Sequence, residues 1–268
     1  IPSSFGIQLS GKCNEWVSGI DIALYIIKYH HLPDKGSACI ELFGEGLNDL
    51  PMNERHNLAR VLIDLGYENV LFQVDEEVMA FLQDRCEKEG KYYFRDKSAD
   101  IKIDLPAVHP MLALSDENGL QIEQLGNKID LPVDQVFIGG DTACRYADFE
   151  KGLKIIRYTL PDAFISAYLF PGSQLVYQDL LDTGMAGIFT EIGIDIVPSA
   201  FHEILLQKAD KSRTCMGTSV RVLKSGGLLA GTASCFAALP EGKILHPREL
   251  ESILKQRNNA HEAQSDEH

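Results

Sequence analysis

Three segments carry the residues whose types and spacing bear on chemistry. They are 136–145 (VFIGGDTACR), 196–203 (IVPSAFHE) and 214–221 (TCMGTSVR). The first is an apolar run that passes through Gly139-Gly140 into a helix-like stretch, a shape that turns backbone N–H groups toward an anion. In the second, Ala200, His202 and Glu203 fall within four residues, and in the third Ser219 and Arg221 lie on either side of Val220. Asp141, His202 and Glu203 together offer the oxygen and nitrogen donors of a mononuclear iron, zinc or manganese site. The plainer reading makes Asp141 a helix cap and His202-Glu203 the solvated first turn of the next helix. A nucleotide phosphate turn at 137–142 is disfavoured, because the segment has neither a P-loop lysine nor the three-glycine dinucleotide spacing. Gly172-Ser173 offers a further anion seat, with ordinary capping by Ser173 as the simpler account. His30-His31 and His56 raise a metal only weakly, since a surface turn before Pro33 explains the pair.

The elements that must position these residues follow from periodicity. Strands are expected at 4–9, 38–43, 69–73, 101–105, 135–138, 163–170 and 194–197. Helices are expected at 22–29, 53–65, 76–88, 147–158, 173–183, 185–192 and 232–239. Ser18 and Asp21 form the capping-box spacing before the first helix. Leu58, Val61, Leu62 and Leu65 share one face of the second, and Gly66 stops it. Alternating strands and helices predict an α/β fold, with two three-layer αβα domains built on mostly parallel sheets. The first domain is expected over 1–105 and the second over 133–257. The proline-bracketed stretch 106–132 is expected as their connection, and 258–268 as a disordered tail.

The bulk composition narrows the function classes. The 268 residues carry a net charge of −14. Nucleic acid and anionic membrane surfaces are therefore poor partners, whereas a small anionic molecule can still be held by a few local donors. No apolar run approaches the ~20 residues of a membrane helix. Six cysteines are scattered without a CxxC pair, which fits reduced thiols in a cytoplasmic protein, with Cys39 and Cys235 as buried small hydrophobes. The opening Ile1-Pro2 lacks a Met and leads directly into a strand-like run, which suggests an upstream part is missing.

Several words, in order, resemble the aconitase family, and within it the large subunit of isopropylmalate dehydratase. They are IPSSFGIQLSGK with WVSGIDIALYII, then ACIELFGEGLNDLPMNERHNLA, then DQVFIGGDTACRYADFEKG, similar to I-G-S-C-T-N with R-x-x-D-L. FPGSQLV resembles a P-G-S helix start. TCMGTSVRVLKSG resembles T-S-x-N-R-N-F-x-G-R, and GKILHPREL a closing G-x-I-x-x-P-R-E-L. The resemblance implies an aconitase-like fold corresponding to the second and third of four domains. It implies hydro-lyase ancestry, and partners in the missing aconitase domains or a separate small subunit. It further implies that cluster cysteines belong where Asp141, Ala200 and Glu203 stand. Thiolates suit cluster irons and these side chains do not, so a 4Fe–4S cluster is expected to be absent. Arg221 matches a substrate-carboxylate arginine and Glu41 an active-site glutamate. Val220 and Ala143 replace asparagines, and Gly226 falls where a second arginine belongs. Cys144 alone cannot replace three ligands. The sequence thus predicts a non-catalytic partner or regulatory subunit, with Arg221, Ser219 and Ser173 as anion-binding candidates. The alternative is a hydro-lyase completed by other chains.

Overall fold

The structure is a computed structural model that describes residues 3–67, 69–83, 98–128, 130–156, 159–162, 164–209 and 212–265. Its first unit contains β1 (Ser3–Ser10), α1 (Gly19–Tyr29), β2 (Ala38–Phe43), α2 (Met52–Asp64), β3 (Asn69–Phe72), α3 (Glu76–Gln83) and β4 (Ile101–Asp104). The four strands form one parallel sheet in the order β3-β2-β1-β4. There follow β5 (Met111–Asp116), β6 (Gly119–Gln124), β7 (Gln135–Gly139), α4 (Tyr146–Ile156), β8 (Ser166–Phe170), α5 (Gln174–Asp182) and α6 (Met185–Glu191). The chain continues through β9 (Ile194–Ile196), α7 (His202–Lys208), β10 (Cys215–Gly217), α8 (Arg221–Lys224), β11 (Leu228–Ala230), α9 (Thr232–Ala238) and α10 (Pro247–Ser265). A second sheet runs β6-β5-β11-β10-β7-β8-β9, parallel except for the β5–β6 hairpin at one edge.

The larger sheet explains why its strands read as continuous apolar runs. Side chains alternate between faces with period two, and both faces are covered. Phe137, Tyr168, Phe170, Cys215, Leu229, Met111 and Ala113 point into one apolar cluster. Val136, Ile138, Ala167, Leu169, Met216, Ala230 and Leu112 point into the other, packed under α4, α6, α9 and α10. The first cluster also contains Ile7 and Leu9 of β1, Ile40 and Leu42 of β2, and the apolar residues of α1 and α2. One core therefore runs from the small sheet through α1 and α2 to the near face of the large one. That is why α1 is apolar nearly all round: it packs against both α2 and β5.

Polar groups fasten the same junction. Asp21 is fully buried and accepts from the Ser18 N–H (2.8 Å), the Ser18 hydroxyl (2.6 Å) and the Met111 N–H (2.8 Å). Burial raises its carboxyl to about 6, against the lowering influence of these donors and of Lys151. Glu54 on α2 accepts from the Gly19 N–H (2.8 Å) and from Lys151 of α4 (3.0 Å). Asn57 donates to Asp148 (3.0 Å), which also accepts from Asn53 (3.0 Å). A buried carboxylate is tolerated only when it is paired in this way.

Several expectations need correcting. The stretch 106–132, expected as a connection, carries the β5–β6 hairpin, whose turn residues are Glu117 and Asn118, with Gly119 (φ +102°) opening β6. The tail expected at 258–268 is helical in α10 as far as Ser265, and 266–268 lie outside the described residues. The helix expected at 76–88 is described only as α3, and residues 84–97 lie outside the described residues. β8 begins at Ser166, later than expected, α4 is described as Tyr146–Ile156, and residues 157, 158 and 163 of the expected elements lie outside the described residues. Cys235 is buried as expected, whereas Cys39 is half-buried on the other face of β2.

Gly19 marks the closest approach of α1 to α2. A methyl there would overlap the Glu54 carbonyl and lie 2.7 Å from the Leu58 nitrogen. Helix propensity alone favours Gly19→Ala by up to ~1 kcal/mol. The packing predicts the opposite sign, a loss of about 3 kcal/mol or more in denaturant unfolding.

Candidate functional site

β7, β8, β9 and β10 are parallel, so the loops that follow them emerge at one edge of the sheet. Carboxyl ends of parallel strands are where α/β proteins place their sites. All three segments singled out in the sequence, together with Ser173, lie at this edge.

The loop after β7 is held in an unusual conformation by specific partners. Gly139 (φ +102°) presses against the Phe170 carbonyl, and a side chain there would overlap it. Gly140 (φ +90°) lies against the His202 ring, with room for no methyl. The Thr218 hydroxyl accepts from the Gly139 N–H (2.9 Å) and donates to the Thr142 carbonyl (3.1 Å). Ala143 is left-handed (φ 53°), which costs a non-glycine residue roughly 1 kcal/mol. Its N–H donates to Asn57 Oδ1 at 2.8 Å, so a side chain of α2 fixes the bend.

At the mouth of the loop lies a chain of alternating charges. Arg221 Nε donates to Asp141 Oδ2 (2.8 Å) and its Nη1 to Glu203 Oε2 (2.9 Å). Arg60 of α2 reaches the same Asp141 oxygen (3.3 Å) and grips Asp64 with two nitrogens (2.8 and 3.0 Å). Partial burial works against the charged form of Asp141. The Ser219 hydroxyl, Arg60 and Arg221 outweigh it and hold the carboxyl below its ordinary value. Arg60, Asp64, Glu203, Arg221 and Lys224 line a cleft of about 470 Å³.

The sequence candidates are only partly brought together. Asp141, Ser219, Glu203 and Arg221 meet. Ala200 does not join them; it lines a second cleft of about 300 Å³ with Ser173 and Tyr177. Ser173 caps α5 by accepting from the Val176 N–H (3.2 Å), as the simpler account required. Glu41 sits on β2 of the smaller sheet and accepts from the Ser4 hydroxyl at 2.5 Å. His202 is buried against Phe170 (ring centroids 4.6 Å apart), and its Nε2 has no hydrogen-bond partner among the described residues. Burial lowers its proton affinity. The three donors of the mononuclear-metal alternative are not arranged as one ligand set in this structure. No three His, Cys, Asp or Glu side chains gather as ligands among the described residues, and Arg221 lies between the two carboxylates.

The donor set does not fit an iron–sulfur cluster either. Of the three positions that the resemblance sets against thiolates, Ala200 has no donor atom, and Asp141 and Glu203 are hard oxygen ligands already paired with a cation. The thiol of the same loop, Cys144, is tucked against Gly172, and burial followed by Asp148 raises it to about 11.

Sequence reading missed Glu54, Asn57, Arg60 and Asp64. Their spacing of three, three and four residues is a polar stripe along one face of α2, and that was the available signal.

The fold and the edge loops define an α/β protein with a candidate site at the carboxyl ends of parallel strands. The chain belongs to the aconitase family: the pattern of that family, described as aconitate hydratase, matches residues 1–223. It is 28% identical over 267 residues to the 3-isopropylmalate dehydratase large subunit of Clostridium kluyveri, covering 93% of this chain and 63% of that one. The protein of the same name from Moorella thermoacetica is 27% identical, covering 93% and 62%. The chain thus spans less than two thirds of these curated relatives. Among solved structures, the holo-form of aconitase X from Thermococcus kodakaraensis aligns with a TM-score of 0.46 at 10% identity, covering 84% of this chain and 52% of that one.

A carboxyl held below its ordinary value stabilises the fold above that ordinary value, and the benefit is lost as pH falls through the lowered one. Asp141→Asn is therefore expected to cost about 1 kcal/mol at pH 7. The gap between variant and native protein should stay constant down to about pH 5 and close below pH 4. Thermal unfolding across pH checks this.

Proposed function

We propose that this chain is a non-catalytic member of the aconitase family that acts as a partner or regulatory subunit. The observation that carries the reading is the side-chain set at the edge loops. Where cluster chemistry needs three converging thiolates, this chain has two ion-paired carboxylates and an alanine facing another cleft. A fold outlives its site, because the core is held by packing while edge-loop side chains are free to change. The core here retains both apolar clusters around the same sheet.

Hydro-lyase chemistry in this family uses an iron as a Lewis acid on a substrate hydroxyl and carboxylate. No step of that reaction is assigned to residues of this chain. What its residues can do is bind. Arg60, Arg221 and Lys224 bring three cations to one cleft in a protein of strongly negative net charge. A small anionic molecule that competes with Glu203 for Arg221 is the ligand class this suits. The curated relatives are named as large subunits, which supports a small subunit as the partner of this chain. No helix among the described residues is long and apolar enough to cross a membrane.

Anaerobic reconstitution with ferrous iron and sulfide tests the reading. The expected result is no visible cluster absorbance and no retained iron after desalting. A brown protein holding several irons per chain, with dehydratase activity in the presence of a small subunit, would establish the alternative hydro-lyase completed by another chain.

A further inference from the structure

We infer that Arg221 is a tether that holds the edge loops in register, doing with hydrogen bonds what a shared metal centre does with ligand bonds. The inference rests on the proposed replacement of cluster cysteines for its comparison, and on geometry for its substance. A metal centre joins separate loops because one body bonds to several of them at once. Arg221 has this property. Its Nε engages Asp141 in the loop after β7, and its Nη1 engages Glu203 in the first turn of α7, 18 residues back along the chain. These are two of the three positions that the resemblance gives to cluster ligands. The guanidinium is planar and presents its donors in fixed directions, so it bridges two acceptors where an ammonium would offer a point charge.

The tether continues inward. Asp141 also takes Arg60, and Arg60 holds Asp64, so the series Asp64, Arg60, Asp141, Arg221 and Glu203 alternates in sign. It joins α2, the loop after β7, α8 and α7. The inner carboxylate is well covered, with 18% of the Asp141 side chain exposed against 58% for Glu203. Buried side chains, His202 and Leu206 of α7 and Val222 and Leu223 of α8, anchor the inner sides of the elements it joins, and the tether acts on their solvent side. α7 has seven residues and α8 four, and helices so short depend on tertiary contacts for their order. Phe201 and Ile204 beside Glu203 are exposed, so on the solvent side of α7 the Glu203 ion pair is the contact to its neighbours, while His202 is buried on the inner side.

Amide hydrogen exchange on the full chain tests this, comparing native protein with Arg221→Gln, Arg221→Lys and Glu203→Gln. Arg221→Gln should accelerate exchange roughly ten-fold in both 139–145 and 202–208, with the strands unchanged. Arg221→Lys should fail to restore protection in both segments together. Glu203→Gln should loosen 202–208 alone. Exchange unaltered in both segments, or altered in only one of them by Arg221→Gln, would overturn the inference. If Arg221→Gln does not fold, the half-exposed Glu203→Gln decides: unchanged exchange in 202–208 overturns the tether, and selective loosening there supports it. Failure of the iron experiment's expected result leaves this readout untouched, so the two readings can fall separately.

Discussion

A guanidinium shared between two carboxylates is the constraint around which the carboxyl edge of the large sheet is arranged. Asp141 can sit at the tip of a glycine loop because Arg221 and Arg60 neutralise it there. The loop can take its left-handed turns because Gly139 and Gly140 meet the Phe170 carbonyl and the His202 ring at distances that exclude a side chain. Without the cations, a part-buried carboxylate would face Glu203 and Asp64 across the same cleft. Like charges in such a setting push one another toward protonation.

The edge depends in turn on how the two sheet units are joined. α2 contributes to both. Its apolar stripe of Leu58, Val61 and Leu62 belongs to the shared core, and its polar stripe of Glu54, Asn57, Arg60 and Asp64 supplies the partners of Gly19, Ala143, Asp148 and Asp141. A single helix thus positions the loop while packing the core. This coupling makes the loop's shape a property of the whole fold.

Much of this was legible in the residues. β2 was expected at its observed bounds, because it has clear turn signals on either side of an apolar run. α1 was expected through the Ser18 and Asp21 pair, and the carboxylate does return the N-cap bond. β10 and β11 were not legible. Each is three residues long and buried on both faces, too short to show a period. The hairpin was missed although Asn118-Gly119, a strong hairpin turn signal, lay within it; three flanking prolines suggested a connector instead. At the site, Asp141 and Glu203 were grouped with His202 as metal donors, and Arg221 stood apart as an anion contact. The bridge that Arg221 makes between the two carboxylates was not legible, because it depends on strand order in the sheet, which brings the loops after β7, β9 and β10 to the same edge.

The central claim is that protein side chains, not inorganic ligands, join the edge loops of this aconitase-family chain. The most direct test is a crystal structure from protein grown anaerobically with iron and sulfide, with anomalous data collected at the iron edge. The account predicts continuous density from Asp141 through Arg221 to Glu203 and no anomalous peak between them. A strong iron peak near Asp141, with Arg221 turned away from it, would contradict the account.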